Sequence, residues 1–159
     1  MSLRGRVVAV INSKRGDNIA FGISAALTQR VVPELIETGN YDHPYMGVSF
    51  TDVTPAIAQA NELEDPRGLL VVRVAPTGPA DGVLRPSTDV RAVDGQRVRV
   101  GGDVILAVDG TRLRTTEDLG SYLALETRPG DTVELEVIRE GRTRTVELQL
   151  GTRPETVGR

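Results

Sequence analysis

Gly102-Asp103-Val104-Ile105-Leu106-Ala107-Val108-Asp109-Gly110 sets five aliphatic residues, without polar alternation, between two turn signals. A short unbroken apolar run bounded in this way reads as a strand covered on both faces, and so as the centre of a β-rich core. Working upstream, residues 90–100 read as a hairpin about Asp94-Gly95, the two-residue pair whose turn matches the twist of its flanking strands. Residues 76–82 are a turn-rich loop, and Leu69-Leu70-Val71-Val72-Arg73-Val74 is a second aliphatic strand. Before it, Thr54-Pro55 has the cap-then-proline form of a helix start, with Ile57, Ala60 and Leu63 on one face. Tyr45-Met46-Gly47-Val48-Ser49-Phe50 reads as a short strand opening on a glycine turn.

Downstream, Thr115-Thr116-Glu117-Asp118 has the pattern of a capping box and starts a helix carrying Leu119, Tyr122 and Leu123. Residues 132–138 and 144–150 alternate about Glu140-Gly141, a hairpin with one wet face. On that face Arg139, Arg142 and Arg144 stand against Glu134, Glu136 and Glu147, which reads as cross-strand charge pairing. The strings at residues 93–98 and 108–113 are alike, as two hairpins using the same turn chemistry would be. The class expected is α+β, mostly β, with two short helices in this part of the chain.

The first 40 residues are of another kind. Met1-Ser2-Leu3 reads as an expression remnant, and no charged-then-apolar leader opens the chain. Residues 4–40 read as strand, strand, helix: Val7-Val8-Ala9-Val10-Ile11, a polar loop over residues 14–18, Ile19-Ala20-Phe21-Gly22-Ile23, then a helix capped by Ser24. Leu27, Val31 and Leu35 recur along that helix beside Val32 and Ile36, Pro33 interrupts it, and Gly39 stops it. Two strands and a helix cannot close a core alone. The divisions expected are therefore residues 1–3, 4–40, 41–154 and a tail at 155–159.

Composition narrows the function. The chain has 159 residues and a formal charge of -3, so no basic field exists for nucleic acid. It has no Cys and one His, His43, which removes disulfides, cysteine nucleophiles and Cys/His zinc cages. No apolar run approaches a membrane span. Lys14 is the only lysine among the basic residues, which reads as a coding bias rather than a physical requirement.

From residue 41 onward the chain resembles a PDZ domain of the kind attached to HtrA/Deg-type serine proteases. The resemblance is carried by His43-Pro44-Tyr45-Met46-Gly47-Val48, similar to a YLGV-type carboxylate-binding loop. It continues through Gly68-Leu69-Leu70-Val71-Val72-Arg73-Val74, Gly78-Pro79-Ala80, the stretch quoted first, and Arg128-Pro129-Gly130-Asp131-Thr132-Val133 with Arg139-Glu140-Gly141. It implies a PDZ-like partly open β-barrel or sandwich over residues 41–154. Residues 4–40 resemble the last strands of the trypsin-like barrel and its linker helix, with Gly22 and Ser24 departing from the usual Ala and Pro. On this resemblance the nucleophile loop, histidine and aspartate of the protease fall upstream. No GxSxG or GNSGG string occurs in the chain, so no catalytic residue, metal ligand or cofactor is expected. Residues 85–101 separate Gly82-Val83-Leu84 from Gly102-Asp103 where the family runs them together, an insertion suited to contact with a neighbouring subunit.

Function then follows from loop chemistry. Successive N–H groups around Gly47 can converge on an anion, and the strand through Ser49 and Phe50 offers an edge to an extended peptide. The expected peptide-binding residues are Tyr45, Met46, Gly47, Val48, Ser49, Phe50, Gly120 and Leu123, with Leu119 and Tyr122 turned to the core. The plainer reading makes residues 45–50 only a first core strand. His43 reads as solvated or capping, adding at most a weak charge to anion binding. The resemblance implies C-terminal or unfolded peptide segments as partners, an upstream protease domain, and an exported or membrane-tethered parent. The alternative is a module that mainly contacts its protease domain or other subunits. Residues 7–23, cut from a barrel, expose apolar edges. Pairing with the second unit's sheet or, preferably, self-association with a neighbouring copy is expected to cover them.

Overall fold

The computed structural model describes residues 9–15 and 19–154. The first strands are β1 (Ala9–Arg15) and β2 (Ile19–Ser24), followed by α1 (Ala25–Thr38). Then come β3 (Pro44–Tyr45), β4 (Val48–Asp52), α2 (Pro55–Ala60), β5 (Leu69–Val74), β6 (Asp89–Val93) and β7 (Gln96–Val100). The chain ends through β8 (Val104–Val108), β9 (Thr111–Arg112), α3 (Thr116–Glu126), β10 (Thr132–Arg139), β11 (Arg142–Gln149) and β12 (Gly151–Thr152).

The main sheet has the order β11-β10-β8-β5-β4, with β9 added to β8, and it stays open rather than closing into a barrel. The unalternating runs are explained by the two cores on its two faces. Ile105 and Val108 of β8 join Leu69 and Val71 of β5 in one core, under Leu119 of α3. Val104 and Leu106 join Leu70 in the other, under Ile57 of α2 and Val98 and Val100 of β7. Each such fully buried aliphatic side chain contributes roughly 1.5–3 kcal/mol. The insertion thus has a structural use: the β6–β7 hairpin lays Val98 and Val100 over the second face. Its turn holds Asp94 and Gly95 at φ of 48° and 79°, the left-handed pair that the Asp-Gly sequence predicts.

Both helix caps of this unit form from the residues expected. The Thr54 hydroxyl accepts from the N–H of Ile57, and Thr115 and Asp118 make a reciprocal capping box. The three hydrogen bonds that Asp118 accepts or shares at this cap hold its carboxyl below the usual range, led by the backbone N–H of Arg114.

The charge pairing expected on the β10–β11 hairpin does not occur. Glu134 lies opposite Glu147, and Arg139 lies opposite Arg142. Arg139 instead turns to Asp103, whose side chain is wholly buried. Nε and Nη2 of Arg139 donate to the two carboxylate oxygens at 2.8 and 2.6 Å, and Nη2 also donates to the Val83 carbonyl at 2.7 Å. The Arg85 N–H completes the carboxylate at 2.9 Å. A buried carboxylate gains far more from a bidentate guanidinium than a water-exposed glutamate would. The insertion is therefore anchored at the point where it leaves the sheet.

β1 and β2 pair with each other, and among the described residues neither joins the main sheet. The two strands form the hairpin that the polar loop between them suggests. Of the two further pairings expected, the one with that sheet is not seen among the described residues. β1 also runs on through Asn12, Ser13, Lys14 and Arg15, part of which reads as loop in the sequence, with a register shift between Ile11 and Ser13. Val7 and Val8 lie outside the described residues. α1 ends where Gly39 donates to the Leu35 carbonyl at 3.0 Å.

A candidate peptide-binding groove

Residues 45–50 are not one strand. Gly47 has φ of +73° and divides β3 from β4. The break matters because β3 and β4 then make different partners. β3 pairs with β12, so Tyr45 faces Gly151, while among the described residues β4 pairs with β5 alone, on one side. The carbonyls of Gly47 and Met46 accept from Ala75 at 2.7 Å and Ala80 at 3.1 Å. Both bonds tie the loop's oxygens back into the domain.

β4 is the last strand in the sheet order, and α3 lies alongside it. Between them is a cavity of about 360 Å³ lined by Tyr45, Met46, Gly47, Val48, Phe50, Gly120 and Leu123. Seven of the eight residues expected at the site are brought together here; Ser49 is not among them. It alternates onto the exposed side of β4, as its place between Val48 and Phe50 requires. Met46 is nearly all buried and belongs to the core as well as the wall. Gly120 leaves open space where a side chain would stand.

Leu119, expected to face the core, is fully buried and also lines the cavity. Tyr122 turns away from the groove, and its hydroxyl donates to Asp109 at 2.8 Å. Burial first, then this hydrogen bond, push the phenol up to about 12. A pKa raised by folding gives stability that is whole below the ordinary tyrosine value near 10 and lost as pH climbs towards about 12. Melting temperatures between those limits should fall in the native chain and fall less in Tyr122→Phe, by an amount that solvent screening of this exposed contact keeps modest. Parallel curves would remove Tyr122 from the account.

Beside His43, whose place near the loop the sequence indicated, Thr116, Ala124 and Arg153 carry no signal in the sequence as groove residues. Thr116 and Ala124 extend the α3 wall, and His43 and Arg153 flank the loop end. Arg153 arrives because β12 pairs with β3, and its N–H donates to the His43 carbonyl at 2.9 Å. The His43 ring meets Tyr41 edge-on with centroids 4.8 Å apart. At the other end, Asp52 accepts from the N–H of Thr116 at 2.8 Å and from its hydroxyl at 2.6 Å. Asp52 so ties the end of β4 to the start of α3. The Arg153 guanidinium stands at the loop end and the Asp52 carboxylate at the far end. Among the described residues, no group of three His, Cys, Asp or Glu is placed to hold a metal.

An unpaired strand edge, a glycine loop beside two basic side chains, and an apolar cleft under a helix together can take an extended chain end. Residues 44–150 match the family model described as PDZ domain. The chain is 33% identical over 159 residues to a probable periplasmic serine endoprotease, DegP-like, of Rhizobium meliloti (strain 1021), covering 96% of this chain and 28% of that protein. A protein of the same description from Pseudomonas fulva (strain 12-X) is 31% identical over 162 residues, covering 99% of this chain and 31% of its own. The chain therefore spans under a third of these relatives. Among solved structures, HtrA-type protease AlgW with decapeptide superposes with a TM-score of 0.71 at 25% identity, over 96% of this chain and 44% of that one. AlgW with tripeptide gives a TM-score of 0.65 at 27% identity, over 94% and 46%.

Proposed function

This chain belongs to the PDZ-domain family, in the form found in HtrA-type serine proteases, and from that premise we propose that the groove between β4 and α3 binds peptides ending in an apolar residue with a free carboxylate. The observation that carries the reading is the break at Gly47. The loop's carbonyls are held by Ala75 and Ala80, which supports a loop whose N–H groups are left for an incoming carboxylate. An incoming chain adds to the free edge of β4, and its last side chain enters the pocket of Tyr45, Met46, Val48 and Leu123. Arg153, at the loop end of the cleft, favours the carboxylate end electrostatically.

The longer protein is proposed to be an extracytoplasmic serine endopeptidase, in line with relatives named as periplasmic endoproteases. This chain's part is recognition, and the same groove would accept C-termini or the apolar ends of unfolded segments. Titration calorimetry with peptides ending in Val, Leu or Ala, each as free acid and as amide, tests the reading. Free acids should bind at least about tenfold tighter, a difference of about 1.4 kcal/mol. Equal affinities would overturn the carboxylate role.

A further inference from the structure

The C-terminal end of α3 carries no cation of its own: its last turn is Leu123, Ala124, Leu125 and Glu126. A helix end leaves carbonyls without partners and a partial negative charge. Here part of the demand is met from outside the helix. Arg30, on α1, donates through Nη1 to the Leu125 carbonyl and through Nη2 to the Thr127 carbonyl. The two donors of one guanidinium therefore bridge the last turn of α3 and the residue after it. Thr127 is itself buried, and its hydroxyl donates to the Leu123 carbonyl at 2.8 Å.

The direction of α3 gives this contact a consequence for binding. Asp52 holds the start of α3 at the far end of the groove, so the helix runs back towards the Gly47 loop. Its negative end thus lies on the side where a bound peptide's carboxylate would sit. Left uncapped, that end would repel the carboxylate, and Leu123 and Ala124 would lose their fixed place in the wall.

We propose that Arg30 is a positioning residue for the groove, acting through the last turn of α3 to hold the pocket wall and to cancel the helix-end charge facing the ligand's carboxylate. The inference rests on the peptide-binding reading above. By linkage the coupling runs both ways: a free-acid peptide in the groove strengthens the hold of α3 on α1.

The test uses the whole chain, Arg30→Met and Arg30→Lys, with one Val-ended pentapeptide as free acid and as amide. Arg30→Met should weaken free-acid binding about fivefold or more and amide binding less. Arg30→Lys, which keeps the charge but not the fork, should recover part of the loss. A merely structural role would lower both affinities alike, and that result overturns the proposal, as does Arg30→Met binding the free acid within twofold of the native chain. Hydrogen exchange on the native chain gives a second reading that needs no variant. Saturating free-acid peptide should slow exchange in the turn of α1 around Arg30 and the amide should not, and unchanged exchange overturns the proposal. A native chain that binds neither peptide removes the proposed function and this inference together; one that binds while the variants and the exchange show no effect removes this inference alone.

Discussion

Replacing Asp103 by Ala should cost about 3–5 kcal/mol of unfolding free energy, the usual penalty for leaving a buried charge without its partner. Arg139 would lose both carboxylate oxygens, keeping only the Val83 carbonyl, and the Arg85 N–H would lose its acceptor. The side chain of Arg139 is itself 15% exposed, too little for water to replace what is lost. Chemical denaturation monitored by far-UV dichroism would measure this. The double variant Asp103→Leu with Arg139→Leu should recover a large part of the loss, because it removes both charges rather than stranding one. A single variant within about 1 kcal/mol of native would show that the pair is not what anchors the insertion.

The second large effect is expected at Gly47. A Cβ there would stand 3.2 Å from Cδ of Pro79 and 3.4 Å from Cα of Gly78, on a backbone with φ of +73°. Valine is stiff at χ1 and disfavours left-handed φ, so Gly47→Val should cost about 1–3 kcal/mol in stability. The larger loss should be in binding. To relieve the contact the loop must turn its N–H groups away from the cleft, and affinity for a free-acid peptide should fall at least about tenfold. Titration of the folded variant checks it, with dichroism confirming native secondary structure. Unchanged affinity would place the carboxylate elsewhere.

Much of this molecule is legible residue by residue. The strands at 69–74 and 104–108, the hairpin about Asp94-Gly95, and the caps at Thr54 and Thr115 all appear where local pattern puts them. These features are decided within a few residues: aliphatic runs, a turn pair tolerant of positive φ, a hydroxyl beside free N–H groups. The glycine loop was legible for the same reason, and with it most of the groove's β4 side. Gly120 and Leu123 were found because helical spacing limits which residues of α3 can share a face.

What the sequence could not determine is which distant partner each polar side chain chooses. Arg139 has a glutamate-rich strand system around it, and pattern alone pairs it there. Folding brings Asp103 into the core beside it, and a carboxylate removed from water outbids one left in it. Arg153, Asp52 and Arg30 reach the groove or its helix across separations that no periodicity spans. The Ser49 side chain faces away from the cavity because alternation along β4 turns it opposite to Val48 and Phe50. Local sequence fixes backbone geometry through short-range sterics and hydrogen bonds; the choice among polar partners waits on burial, which exists only once the sheet, α2, α3 and the inserted hairpin have packed.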